Sequence, residues 1–191
     1  MLDLNGSIFD SINDLAGRFS ALDHLMEFSA QYLVFIIAAI VVGSWFVRTG
    51  SDGPNRRFAV YTAVASTAIA LLITMIIQHL YTHPRPFVAR NDVVLLVNHS
   101  ADPSFPSEHA TAAFAMATGL ALYRPRFGIL LLLLATLTAF ARVFVGIHYP
   151  GDVAGGAAIG VAAAALIWCG REGLAWLDRR IVVRLVPAAL R

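Results

Sequence analysis

Five stretches of the chain carry no charged side chain: residues 28–47, 58–77, 110–123, 127–141 and 153–170. A helix that crosses a bilayer needs roughly 20 mostly apolar residues. The third stretch reaches back to Pro106 and the fourth runs on past Arg142 to Ile147, so both approach that length. The pattern predicts an all-α integral membrane bundle of five transmembrane helices. Gly155, Gly156, Gly160 and Ala164 in the last stretch suit close helix packing within a bilayer. Ahead of the first stretch, Ile8, Ile12, Leu15, Phe19 and Leu22 recur at helical intervals and form one apolar stripe. Residues 1–27 are therefore expected to form an N-terminal amphipathic helix that lies along the interface or covers the bundle. Leu174, Leu177, Ile181 and Leu185 repeat the idea in residues 171–191, with arginines on the polar face. The transmembrane core would span 28–170, and the whole of 1–191 would be one membrane-embedded domain.

Composition agrees. Of 191 residues, 58% are hydrophobic and 14% charged, against about 25% charged in a soluble domain. Soluble and disordered chains are thereby excluded. One cysteine, Cys169, excludes a disulfide framework and a cysteine-rich zinc module. The net charge is +2, and all 14 basic residues are arginine, spread along the chain and mostly beside apolar stretches, so no nucleic-acid partner is expected. Arginines favour cytoplasmic loops. They gather in the 48–57 loop, in the 123–126 turn and in the tail, and these alternate correctly with five spans. That predicts the N-terminus outside and the C-terminus inside. The long 79–105 segment and the 146–151 turn then share the outer face. The start lacks the basic region of a signal peptide and carries Asp3, Asp10 and Asp14 instead.

Ionisable residues beside membrane spans are costly and usually functional. Here they gather in His83-Pro84-Arg85-Pro86, in Pro106-Ser107-Glu108-His109, and at Arg142, His148 and Asp152. Each alone has an ordinary reading: a turn, a helix cap, a snorkelling side chain. Their convergence on one face points to phosphate chemistry. Arg85 and Arg142 are forks for phosphate oxygens. A helix opening at Ser107 presents backbone N–H groups and a hydroxyl to an anion. His148 and His109 offer a nucleophile and an acid/base group. Asp152, four residues after His148, is placed to accept the proton of one ring nitrogen and free the other. His24, His79, His83 and His99 lack comparable partners and are read as interface residues. The 79–105 segment is long enough to be functional, its apolar 93–97 run either dipping into the bilayer or packing over the pocket.

The three segments resemble the signature of the type-2 phosphatidic acid phosphatase superfamily: a lysine, six residues, then Arg-Pro; Pro-Ser-Gly-His; and Ser-Arg, five residues, His, three residues, Asp. Arg85-Pro86 matches the end of the first part. Pro106-Ser107-Glu108-His109 matches the second, with Glu108 for glycine, and Ala141-Arg142, His148 and Asp152 match the third, with Ala141 for serine. Gln78 stands where the signature has lysine, and the chain contains no lysine at all, so either Arg90 replaces it or the site runs with one less cation. Within the superfamily, Ile8–Asn13, Arg-Pro-Phe-Val and the 102–110 run look most like the bacitracin-resistance undecaprenyl-diphosphatases.

The resemblance implies a bacterial plasma-membrane enzyme that needs no metal or other cofactor. It would cleave a lipid diphosphate, most simply undecaprenyl diphosphate, on the extracytoplasmic face. His148, held by Asp152, would form a phosphohistidine, and His109 would serve as acid and base. Arg85, Ser107, Arg142, Glu108 and Gln78 would bind the substrate. The alternatives are another lipid phosphate (phosphatidic acid, phosphatidylglycerol phosphate, lipid A) and, for want of the lysine, a catalytically silent scaffold. A vanadate-dependent haloperoxidase would share the anion pocket but is soluble.

Overall fold

The structure, a computed structural model, describes residues 4–47 and 53–177. Arg48 and Asp52 of the first arginine loop, and Ile181 and Leu185 of the tail, lie outside the described residues. In chain order the elements are α1 (Leu4–Asn13), α2 (Ser20–Gly43), α3 (Gly53–Leu80), the short α4 (Pro86–Ala89), α5 (Glu108–Ala121), α6 (Pro125–Phe144), α7 (Pro150–Cys169) and α8 (Arg171–Leu177). No strand occurs among the described residues. Helices α2, α3, α6 and α7 are long and apolar enough to cross a membrane. Their outward faces carry exposed Phe35, Leu72, Leu133 and Leu166, as suits helices solvated by lipid rather than water.

The third apolar stretch differs from the reading above. It becomes α5, with 14 residues, about 21 Å of helix against a hydrocarbon core of about 30 Å. It is the most enclosed element. Ala110, Ala113, Ala115, Ala117 and Leu120 are fully buried, and α2, α3, α6 and α7 all pack on it. The apolar stretch was therefore long in sequence because it is central. A non-helical segment over 101–107 leads into it. Irregular backbone is tolerated at membrane depth when protein surrounds it.

Alanines and glycines make this centre possible. A Cβ on Gly160 would sit 2.5 Å from the Thr111 carbonyl oxygen and 2.7 Å from the Ala115 nitrogen; one on Gly156 would sit 2.6 Å from the Ser107 carbonyl oxygen. Helix α7 thus lies backbone to backbone on α5, which locks the start of α7 against the start of α5. Gly160→Ala is expected to destabilise the protein by about 1–3 kcal/mol, because backbone rather than a flexible side chain must give way. Thermal unfolding in detergent would show this as a clear drop in Tm; an unchanged Tm would mean that α7 slides freely.

The N-terminal stripe is not one helix. Asn13 ends α1, Gly17 turns the chain at φ 77°, and the Gly17 N–H donates to Asp23 Oδ1 at 3.0 Å. Ile8, Leu15 and Phe19 are exposed, whereas Phe9 and Asn13 are buried. The periodicity missed Asn13 because it is polar. Its side chain replaces a backbone partner: Nδ2 donates to the Val94 and Phe144 carbonyls at 2.9 and 2.8 Å, and Oδ1 accepts from the Val94 N–H at 2.9 Å. One amide thereby clamps α1, the 90–97 segment and the end of α6. Val97 packs with Phe144, Val145 and Ile147, so the 93–97 run covers the end of the bundle. Gly146, at φ 85°, then redirects the chain into the His148 turn.

Candidate functional site

Every residue singled out from the sequence lies at one end of the bundle, at the last turn of α3, the first turn of α5, the last turn of α6, the first turn of α7 and the segments between them. His148 is the hub and is 1% exposed. The Arg85 Nη1 lies 3.0 Å from its Nε2, and the Arg142 Nη2 lies 3.3 Å from the same atom. Guanidinium groups only donate, so Nε2 is the acceptor and the ring proton is on Nδ1. Nδ1 faces the Ser104 hydroxyl at 3.3 Å and Asp152 Oδ2 at 3.5 Å. Burial, with Arg142 and Arg85 adding to it, outweighs the pull of Asp152 and pushes the imidazole down to about 3. The ring is neutral, and its free lone pair points at two cations.

The cations are held differently. Arg85, 3% exposed, donates through Nε to Asp102 Oδ1 at 2.9 Å and through Nη1 to the Ile147 carbonyl at 3.0 Å. Burial alone would raise the Asp102 carboxyl, but Arg85 overrides it and holds it below the ordinary range. Arg142, 4% exposed, has no such counter-ion. Nη1 donates to the Ala30 carbonyl at 3.3 Å, Nη2 to His99 Nε2 at 3.1 Å, and the buried Nε has no partner. Among the described residues no carboxylate reaches it within salt-bridge distance. The Ser107 hydroxyl, fully buried at the N-cap of α5, is likewise unpartnered. A buried cation without a counter-ion costs several kcal/mol. Set beside an unpaired hydroxyl and a helix N-terminus, it marks a place built for an anion.

The remaining positions are at the rim. His109 stands on the first turn of α5, its ring edge-on to Phe35 at 6.4 Å. Glu108 is exposed on the same turn, where a carboxylate suits the helix dipole. Gln78 Nε2 donates to the Pro106 carbonyl at 3.1 Å, bracing the loop that leads into α5. Arg90 does not replace the missing lysine: it pairs with Asp10 and Asp92, each at 2.7 Å, and lies over the Phe9 ring.

Sequence reasoning missed four neighbours. Ser104 bonds both His148 and Asp152. Asp102 neutralises Arg85. His99 and His83, read as interface residues, belong to the site: His99 accepts from Arg142, and His83 Nδ1 lies 3.6 Å from Asp152 Oδ1. Burial lowers the His99 imidazole, and Arg85 and Arg142 lower it further, so it too is a neutral acceptor. Asp102 and Ser104 lay in the run that carried the finer resemblance, but their partners are 17 to 48 residues away. Among the described residues no group of three or more His, Cys, Asp or Glu side chains is arranged to hold a metal ion.

The chain is similar to several known proteins. The Bacillus subtilis protein named undecaprenyl-diphosphatase BcrC is 35% identical over 83% of this chain and 79% of its own length. The Bacillus licheniformis protein named bacitracin transport permease protein BcrC is 31% identical over 97% of this chain and 93% of its own. The crystal structure of Aquifex aeolicus LpxE superposes with a TM-score of 0.72 at 26% identity, covering 85% of this chain and 93% of that one. A Bacillus subtilis transmembrane PAP2-type phosphatidylglycerolphosphate phosphatase shares the fold, with a TM-score of 0.61 at 24% identity over 88% of this chain and 86% of that one. The PAP2 superfamily profile covers residues 59–176, which hold every one of the converging motifs, and the chain belongs to that superfamily.

Proposed function

We propose that the protein is a membrane lipid diphosphatase that converts undecaprenyl diphosphate to undecaprenyl phosphate and inorganic phosphate. The observation that carries the reading is the buried, counter-ion-free Arg142 guanidinium pointing at the lone pair of a neutral His148. A terminal phosphate entering there takes donors from Arg85, Arg142, Ser107 and the start of α5, and these also stabilise the charge on its equatorial oxygens during transfer. His148 Nε2 attacks phosphorus in line. The N–P bond forms, the bridging P–O bond breaks, and its electron pair leaves on the lipid monophosphate. His109 protonates the leaving oxygen where that is needed, then takes a proton from the water that cleaves the N–P bond. Glu108 and Gln78 shape the rim. No step calls for a metal ion or cofactor.

The five apolar helices act as one membrane domain with residues 1–27 at the interface. The end opposite the site holds Arg124, which donates to the Ser44 carbonyl at 3.2 Å, together with Arg56 and Arg57. By the arginine rule that end faces the cytoplasm and the site faces outward in a bacterial plasma membrane. The name of the Bacillus subtilis relative, undecaprenyl-diphosphatase BcrC, favours undecaprenyl diphosphate over other lipid phosphates.

The test is phosphate release by detergent-purified protein in EDTA, with undecaprenyl diphosphate, undecaprenyl phosphate, phosphatidic acid and phosphatidylglycerol phosphate side by side. Release from the diphosphate is expected to dominate. Release mainly from a glycerolipid would keep the site chemistry and change the substrate. Release from none would leave a silent scaffold, with Gln78 at the lysine position as its cause.

A further inference from the structure

Asp152 and His148 are the expected pair, yet they do not meet well. Nδ1 and Oδ2 are 3.5 Å apart, longer than the 3.3 Å hydrogen bond between Nδ1 and the Ser104 hydroxyl. Ser104 stands between them. It is fully buried, its N–H donates to the His83 carbonyl at 2.8 Å, and its hydroxyl touches Asp152 Oδ2 and His148 Nδ1. A hydroxyl has one proton to give. Asp152 Oδ2, which also accepts from the Tyr149 N–H at 2.8 Å, takes it as a carboxylate. Because Arg85 and Arg142 fix Nε2 as the acceptor, Nδ1 carries the ring proton and gives it to the Ser104 oxygen. The direction of every bond in the chain is then determined: His148 Nδ1–H to Ser104 Oγ, Ser104 Oγ–H to Asp152.

We infer that Ser104 is the positioning residue of the reaction, coupling Asp152 to the nucleophile through its hydroxyl. The inference rests on the lipid-phosphatase reading above. When Nε2 bonds phosphorus the ring becomes cationic, and Nδ1 keeps its proton throughout. The hydroxyl turns a negative oxygen to that proton and passes the attraction of Asp152 along the chain, so its contribution is larger in the transition state than in the free enzyme. Ser104 meets the ring at Nδ1, on the side away from Nε2, where Arg85 and Arg142 converge. Its loss therefore acts on kcat and spares KM.

The experiment compares Ser104→Ala and Ser104→Thr with the wild type in detergent, using undecaprenyl diphosphate, inhibition by inorganic phosphate, and ¹⁵N spectra of protein labelled at histidine. Ser104→Ala is expected to lose about a hundredfold in kcat. Its KM and phosphate inhibition should stay within about threefold, because Arg85, Arg142 and Ser107 are untouched. Ser104→Thr, which keeps the hydroxyl, is expected to recover most of the loss. The wild-type spectrum should show His148 as a single Nδ1–H tautomer, and Ser104→Ala should mix the two. Three results would each overturn the inference: kcat in Ser104→Ala near the wild type, equal losses in both variants, or a wild-type His148 protonated on Nε2. The spectrum is read without turnover. A wild type that releases no phosphate yet shows the Nδ1–H tautomer would therefore sink the lipid-phosphatase reading and not the bond chain.

Discussion

His148→Ala is expected to lower phosphate release from undecaprenyl diphosphate by at least about 10⁴-fold, because it removes the proposed nucleophile itself rather than a group that assists it. The protein should still fold, since the ring is held by polar contacts and its turn is set by Gly146 and the Asn13 clamp. With substrate labelled on the terminal phosphate, quenched wild-type enzyme should carry an acid-labile, base-stable phosphoryl group, and the variant none. Residual hydrolysis within about tenfold of wild type would give the chemistry to direct attack by water. The environment of the ring makes a second expectation. Burial and the two arginines push His148 down to about 3. A lowered pKa keeps the neutral, attacking form as pH falls, so His148 is fully available between about pH 5 and 8, where an ordinary histidine would titrate. An acid limb of kcat/KM near 6.5, set by the His148 resonance in the same sample, would contradict the burial seen here.

The sequence makes the membrane helices legible because lipid leaves only one backbone solution and demands an uncharged run of known length. Four of the five stretches obey that rule. The fifth did not give itself away, since a helix enclosed by protein is as apolar as one facing lipid. Only its richness in alanine, at Ala110, Ala112, Ala113, Ala115 and Ala117, separates it from the leucine-rich start of α6. The N-terminal stripe failed for the opposite reason. Periodicity scores apolar residues, and the residue that fixes α1 is Asn13, buried because it satisfies three backbone groups. At the site, Arg85, Arg142, His148 and Asp152 were legible from spacing and resemblance. Ser104, His99 and Asp102 were not, because what brings them into the cluster is whom they meet. A serine that bridges residues 44 and 48 positions away has no local pattern. Arg90 shows the converse. Charge made it a plausible substitute for the lysine, and Asp10 and Asp92 had already taken it.

Arg142 should show the largest effect after His148. Arg142→Met is expected to cut kcat/KM by about 10³-fold, the scale of losing a preorganised donor to transition-state charge. Arg142→Lys should recover only part, since an ammonium cannot reproduce two parallel donors to a phosphate. Stability is expected to move the other way. In the wild type the guanidinium is 4% exposed and no carboxylate among the described residues is in contact with it, a burden of several kcal/mol. Methionine fills much of the same volume without charge. It forfeits the bonds to the Ala30 carbonyl, His99 Nε2 and His148 Nε2, worth about 1 kcal/mol each, but it also removes the repulsion from Arg85, which meets Arg142 at His148 Nε2, so relief of the buried charge dominates and Tm should rise. Added inorganic phosphate should close that gap. It supplies the missing counter-ion to the wild type and stabilises it by mass action, while the variant, with one fork gone, should respond weakly. Thermal unfolding of both proteins with and without phosphate reads all of these signs at once. A variant less stable than wild type in the absence of phosphate would mean that Arg142 holds the fold together, and would remove the observation on which the anion site rests.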